Sequence, residues 1–370
     1  FFPQLIAGPI VHHKEVLPQF SRDTIYKLNY EHLAIGITIF VIGLFKKVVI
    51  ADGVSVYASP VFNAAEQGVI LTFFESWFGA LAYTLQLYFD FSGYSDMAIG
   101  AARMFGVLLP INFHSPYKAK NIIEFWRHWH ITLSKFLRDY LYISLGGSRK
   151  GKVRRYINLM LTMLLGGLWH GAGWTFILWG ALHGFYLIVN HAWHNLRVLL
   201  GQDPRLPLSW YALTLSRIIT FIAVVVGWVF FRSESHEGAS SLLFSMIGLN
   251  GFSVSPNIST LYSKENISLL ISYGFKFDGF FSNHLAAWSD GVIIIISALL
   301  VGLFAPNTQQ IMKKYKPALS FVEKEKNKTN KLEDYLLWKP TIIHLLIIVS
   351  TFIFSIFSMS NVSEFLYFNF

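Results

Sequence analysis

Residues 156–170 and 173–191 are two apolar stretches, and Trp169-His170-Gly171 stands where they meet. In lipid every backbone polar group must be satisfied internally, so such stretches span as helices or as strands of a closed barrel. We read both as helices. Ionisable groups at membrane depth are costly and mark functional sites by default. The run Gly166-Gly-Leu-Trp-His170-Gly171 therefore organises the reading. With it go Trp174, Trp179 and His183 downstream, and Asn121-Ile-Ile-Glu-Phe-Trp-Arg-His-Trp-His130 upstream.

The rest of the chain reads as a membrane scaffold. Of its 370 residues, 54% are hydrophobic and 14% charged, against about 25% charged in soluble domains. This indicates an all-α, polytopic membrane protein with one membrane domain over 1–370. The absence of Cys excludes disulfides, thiolate ligands and a cysteine acyl-enzyme. The chain starts Phe1-Phe2-Pro3, with no Met and no signal peptide. Further membrane spans are expected to precede it.

The net charge of +9 does not point to nucleic acid, because it is local. Residues 110–155 hold Lys118, Lys120, Arg127, Lys135, Arg138, Arg149, Lys150, Lys152, Arg154 and Arg155 against Glu124 and Asp139. By the positive-inside rule this segment is cytoplasmic or interfacial. Residues 121–142 alternate apolar and basic residues at helical spacing, which predicts one amphipathic helix at the cytoplasmic face. Counting outward, 156–170 leave and 173–191 return. A cytoplasmic loop at 192–210 follows, then an outward span at 211–231 and an extracytoplasmic loop at 232–290. Residues 291–304 return to the lysine-rich segment 306–340, a candidate for anionic headgroups, and 341–358 cross last. The segments 156–170 and 291–304 fall short of the roughly 20 residues of a full span, so His170 is expected at the tip of a hairpin inside the membrane. Before the basic segment, Pro3, Gly8 and Pro9 suggest a broken or re-entrant start. A span at 31–50 is closed by Lys46-Lys47 and Asp52-Gly53, and another covers 69–89. Asp90-Phe-Ser-Gly-Tyr94-Ser-Asp96 is expected to interrupt the helix before a shorter apolar piece reaches Leu109.

His170 has glycines at 166, 167, 171 and 173, which allow close approach of a helix or a substrate. Imidazole titrates near neutrality and can take a proton from a hydroxyl; a hydrogen-bonded core histidine is the structural alternative. Trp126 and His130 are four apart and would share a helix face, with Arg127 and His128 elsewhere. Asp90 and Asp96 need partners, for which Arg103, Arg127 and Arg138 are candidates. His183 lies some 220° around one straight helix from His170. Gly146-Gly-Ser-Arg-Lys-Gly-Lys152-Val153 nearly matches a P-loop but lacks the Ser/Thr that holds magnesium and follows no strand, so a nucleotidase is excluded. It remains a basic turn suited to the phosphates of an acyl carrier. His191 and His194 have no third ligand nearby, and no metal site is expected.

Several ordered motifs resemble the membrane-bound O-acyltransferase family, nearest to its bacterial alginate O-acetyltransferase members and more distantly to its teichoic-acid D-alanyl members. They are Phe1-Phe-Pro-Gln-Leu-Ile-Ala-Gly-Pro-Ile10, Tyr88-Phe-Asp-Phe-Ser-Gly-Tyr-Ser-Asp-Met97, Glu124-Phe-Trp-Arg-His-Trp-His-Ile131, Phe136-Leu-Arg-Asp-Tyr-Leu-Tyr142, Gly166-Gly-Leu-Trp-His-Gly171, Trp179-Gly-Ala-Leu-His-Gly184 and the ending Glu364–Phe370. The resemblance implies a ring of transmembrane and re-entrant helices around a tunnel in the bacterial inner membrane. It implies that His170 is catalytic and His130 is the second tunnel histidine. Trp169, Trp126, Arg127, Asp96, Tyr94 and His183 are then candidate tunnel-lining residues. It further implies an acyl thioester such as acetyl-CoA as donor substrate, with no bound cofactor. An extracytoplasmic O-acetyltransferase partner would pass the group to a polysaccharide such as alginate. Other cell-wall acceptors, D-alanyl transfer and a proton-coupled transporter with buried histidines stay open on the residues alone.

Overall fold

A computed structural model describes residues 2–4, 8–22, 25, 27–203, 206–254, 262–277, 288–319 and 334–360. The expected ending at 364–370, and residues 320–333 of the lysine-rich segment, lie outside the described residues. The architecture is helical; beside the helices stand two paired parallel strands, Phe252–Ser253 and Phe275–Lys276. The helices are α1 (His13–Phe20), α2 (Tyr30–Phe45), α3 (Asp52–Glu66), α4 (Phe73–Met104), α5 (Ile122–His128), α6 (Ile131–Phe136), α7 (Lys152–His170), α8 (Trp174–Leu199), α9 (Trp210–Arg232), α10 (His236–Met246), α11 (Lys264–Ser272), α12 (Trp288–Phe304), α13 (Thr308–Ile311) and α14 (Ile342–Phe357). Among the described residues, two stretches are long and apolar enough to cross a membrane, Tyr30–Glu66 and Trp210–Arg232; Ser289–Phe304 and Ile342–Phe357 are shorter apolar helices.

The chain forms two compact units. The first comprises Phe1–Gly53, Leu87–Leu141 and Leu300–Phe370. Asn29 begins α2 by accepting the His32 N–H on its side chain, an ordinary N-cap. The helix packs antiparallel on the second half of α4 through two pairs of glycines a heptad apart. A Cβ on Gly36 would stand 2.7 Å from the Gly100 carbonyl oxygen, and one on Gly43 would stand 2.6 Å from that of Gly93. No larger residue fits where two backbones approach this closely. Ile35, Ile39, Ile99, Ala102 and Leu109 form the core beside this seam.

Three sequence expectations are corrected in this unit. Lys46-Lys47 does not close a span: both lysines sit in a π-helical turn, Lys46–Ala51, between α2 and α3. Residues 90–96 do not interrupt a helix, because α4 runs unbroken for 32 residues. The partners of the two aspartates are these lysines rather than an arginine. Lys46 Nζ lies 2.6 Å from Asp96 Oδ2, and Lys47 Nζ is 3.1 Å from Asp90 and 2.6 Å from Asp52. Thr308 and Gln309 of α13 complete the Asp96 carboxylate at 2.6 and 2.8 Å. Once every charge is paired, the polar run is compatible with a continuous helix.

The second unit comprises Val54–Gln86 and Tyr142–Leu299. Here α7 and α8 form a tight hairpin. A Cβ on Gly167 would stand 2.3 Å from the Phe176 carbonyl oxygen, and one on Gly180 would stand 2.4 Å from that of Met163. The helix α8 continues to Leu199, so the expected loop at 192–210 is shorter than its sequence suggested. The basic turn before α7 is held by Asn158, whose side-chain amide donates to the carbonyls of Leu145 and Gly147. Glu66, the last residue of α3, ties that helix to the junction between α9 and α10: its carboxylate accepts the backbone N–H groups of Glu234 and Ser235 and the Ser235 hydroxyl.

Candidate active site

His130 belongs to the first unit. The expected single helix over 121–142 is instead two short helices and a π-helical turn, Leu137–Tyr142. Asn121 caps α5 through the Glu124 N–H at 2.8 Å, and the helix ends at His128. His130 then adopts a left-handed backbone, φ 39° and ψ 55°, and starts α6. For a residue other than glycine this conformation costs about 1–2 kcal/mol, and such strain concentrates at functional sites. Two backbone hydrogen bonds hold the corner, from His114 N–H to His128 O and from Ile131 N–H to Asn112 O. Because the helix breaks here, Trp126 and His130 do not share a helix face; Trp126 is half-buried and Arg127 exposed.

The His130 imidazole is buried edge-to-face against Phe91, with centroids 4.8 Å apart, and Phe113 is stacked at 6.5 Å. Its Nδ1 lies 3.0 Å from Asn112 Oδ1. That oxygen also accepts the Thr132 hydroxyl at 3.0 Å, while the Asn112 amide donates to Ser95 Oγ at 3.3 Å. An amide oxygen only accepts, so Nδ1 carries the proton and Nε2 keeps its lone pair. Asn112 and Thr132 were not singled out by sequence reasoning. The Asn112-Phe113-His114 run gives no local signal, since the pairing spans eighteen residues of chain. In the same unit Asp96 is committed to Lys46, Thr308 and Gln309, and Tyr94 is half-buried on α4.

His170 belongs to the second unit, as the last residue of α7. It is half-buried, and its ring is edge-on to three aromatic neighbours: Trp169 at 5.0 Å, Trp179 at 5.4 Å and Phe231 at 5.0 Å. Gly171 leaves room for Phe176, which would stand 2.6 Å from any Cβ placed there. Trp169 itself is 52% exposed. His183 is fully buried on α8, one turn from Trp179, and the two rings are 5.0 Å apart. Trp179 thus touches both histidines, although the two lie on different helices. The rotation expected along one straight helix does not apply, because the chain turns at Gly171. Gly227 on α9 makes the space for His183, whose Nε2 would be 2.7 Å from a Cβ there. Phe231 and Trp228, four and three residues from Gly227 and Phe231 respectively along one face of α9, were missed by sequence reasoning. Only the apolar character of α9 was legible, not which face meets α7 and α8.

His130 and His170 each present a nitrogen base among aromatic rings at a helix end. Such groups can remove a proton from a hydroxyl or polarise a carbonyl.

A family model described as the membrane-bound O-acyltransferase family matches residues 1–230. The chain is similar to a peptidoglycan O-acetyltransferase of Helicobacter pylori, 53% identical over 69% of this chain and 46% of that protein. It is similar to a probable alginate O-acetylase of Azotobacter vinelandii, 45% identical over 74% of this chain and 51% of that protein. A teichoic acid D-alanyltransferase of Streptococcus thermophilus is 28% identical over 62% of this chain and 59% of that protein. The chain spans about half the length of the first two of these relatives.

Proposed function

This chain belongs to the membrane-bound O-acyltransferase family, and on that premise we propose that it moves an acetyl group from a cytoplasmic acyl thioester across the membrane for O-acetylation of a cell-envelope glycan. The observation that carries this reading is His170 at the tip of the α7–α8 hairpin. It is a half-buried base enclosed by Trp169, Trp179 and Phe231. In this role His170 Nε2 or Nδ1 takes the proton of an acceptor hydroxyl as that oxygen attacks the thioester carbonyl. The thiolate leaves and recovers the proton. His130, with its Nδ1 proton fixed by Asn112, is assigned the donor side, where it orients the thioester.

The reading includes a tunnel through a ring of helices in the inner membrane, which the chain crosses several times. An extracytoplasmic O-acetyltransferase partner receives the group. Peptidoglycan and alginate, named for the relatives at 53% and 45% identity, are the acceptors to test first.

The experiment is transfer of label from acetyl-CoA in membranes carrying the full-length protein. Label should reach an extracytoplasmic acceptor in the wild type. It should be lost in His170→Ala and reduced in His130→Ala. Full transfer by His170→Ala would refute the mechanism.

A further inference from the structure

Glu75, in the second unit, is a buried acid that no lysine or arginine pairs. It lies in the first turn of α4 and is 1% exposed. It belongs to no ion pair among the described residues, whereas the buried Asp90 and Asp96 each meet a lysine. One of its oxygens is satisfied: Oε2 accepts the Thr72 backbone N–H at 2.8 Å and the Thr72 hydroxyl at 2.7 Å. The other, Oε1, is buried and accepts no hydrogen bond among the described residues. A carboxylate buried in this way is costly unless a positive charge completes it.

Two hydroxyls share this condition. Ser76 and Ser253 are 0% and 2% exposed, and the Oγ of each makes no hydrogen bond among the described residues. Buried polar atoms ordinarily meet a protein group, a water or an ion. Thr72 gathers the three oxygens. Thr72, Glu75 and Ser76 fall at i, i+3 and i+4, one face of a helical turn. Thr72 Oγ1 also accepts the Ser253 N–H at 3.2 Å, which brings the strand Phe252–Ser253 onto that face. The approach is fixed on both sides, by Phe73 N–H donating to Gly251 O at 3.0 Å and Trp77 Nε1 to Met246 O at 2.9 Å. Lys276, opposite Ser253 in the strand pair, is exposed and in no ion pair among the described residues.

We propose that Glu75 Oε1, Ser76 Oγ and Ser253 Oγ bind an alkali-metal cation. Carboxylate and hydroxyl oxygens are hard ligands that suit hard cations, and one carboxylate balances one positive charge. Calcium takes about six to eight oxygens, more than this cluster supplies. The helix N-terminus is served by Oε2, which leaves Oε1 for the ion. The bound cation fastens the strand Phe252–Ser253 to the start of α4. In the topology expected from charge, 232–290 is an extracytoplasmic loop, so the ion enters from that side.

The test is the thermal transition of the full-length protein in detergent, measured in sodium, potassium and choline chloride at equal ionic strength. Acyl transfer plays no part in it. Sodium or potassium should raise the transition saturably above its value in choline, and Glu75→Gln should abolish the rise. Ser76→Ala and Ser253→Ala keep the test decisive even where Glu75→Gln fails to fold. Each removes a ligand, so the cation should bind about tenfold more weakly. Each also removes a hydroxyl that lacks a partner, so in choline the variant should melt at or above the wild type. A wild type that melts alike in all three salts would overturn the proposal, as would a salt response that persists in Glu75→Gln. Serine variants that melt below the wild type in choline would overturn it too, by assigning those hydroxyls to the fold alone. A larger rise with calcium at matched ionic strength would assign a divalent ion in its place.

Discussion

Asn112 Oδ1 lies 3.0 Å from His130 Nδ1 and at the same distance from Thr132 Oγ1. One side-chain oxygen therefore sets the tautomer of a histidine and holds the hydroxyl of a neighbouring threonine. Asn112→Ala removes that acceptor and leaves two buried donors without it, a loss of about 1–3 kcal/mol. Acetyl transfer per folded molecule should fall about tenfold to a hundredfold. Asn112→Asp keeps an acceptor and should recover most of the rate. Equal loss in both variants, measured at matched protein levels, would show that Asn112 only supports the fold.

His170 and His183 both touch Trp179 but differ in burial. His170→Ala should lower transfer by about 10²–10⁴-fold, the contribution of a general base, with a thermal transition close to wild type. His183→Ala opens space in a fully packed region beside Gly227 and should cost about 2–4 kcal/mol of stability. Thermal unfolding in detergent, run alongside the transfer assay, separates the two. A stable, inactive His183→Ala would place that residue in the chemistry.

The hairpin should be intolerant of a single methyl group at its crossing points. Gly167→Ala and Gly180→Ala each drive a Cβ into a backbone carbonyl at 2.3 or 2.4 Å. Helices cannot relieve this by a rotamer change, and a loss of about 1–3 kcal/mol or more follows. Gly53, in α3, has no heavy atom within 4 Å of its Cβ position. Gly53→Ala should therefore be neutral or stabilising by about 0.5–1 kcal/mol. Similar melting temperatures for all three variants would contradict the packing.

Asp96 should act through stability. Its carboxylate is buried and fully occupied by Lys46, Thr308 and Gln309. Breaking a buried pair by removing one partner costs about 3–5 kcal/mol. Lys46→Met and Asp96→Leu should each be severe alone, and the double variant milder than their sum. Strict additivity in a double-mutant cycle on the unfolding transition would deny the coupling.

What the sequence revealed, and what it hid, follows from range. The α7–α8 hairpin was legible because apolar runs and the Gly166–Gly171 punctuation are local. The placement of His170 at its end follows from the same few residues. The break at His130 was not legible, since its left-handed backbone carries no glycine and is held by contacts from residues 112–114. The run Asp90–Asp96 suggested an interruption because local polarity and Gly93 both argue against a buried helix. Its continuity depends on Lys46, Lys47 and Gly43, some fifty residues earlier. Neither glycine pair is meaningful until its partner across the seam is known. Likewise, Asn112 is an unremarked polar residue until Thr132 and His130 fold back onto it.

The buried lysines also bear on how the protein is made. Lys46 and Lys47 emerge from the ribosome well before Asp90 and Asp96, and only Asp52 follows closely enough to neutralise one of them. Until α4 has been synthesised, a helix carrying an uncompensated ammonium group resists settling at full depth in the bilayer. Membrane insertion of α2 is thereby coupled to translation of α4. A truncation ending between residues 66 and 90 should remain accessible to aqueous amine-reactive probes at Lys46, whereas a nascent chain that includes Asp96 should be protected.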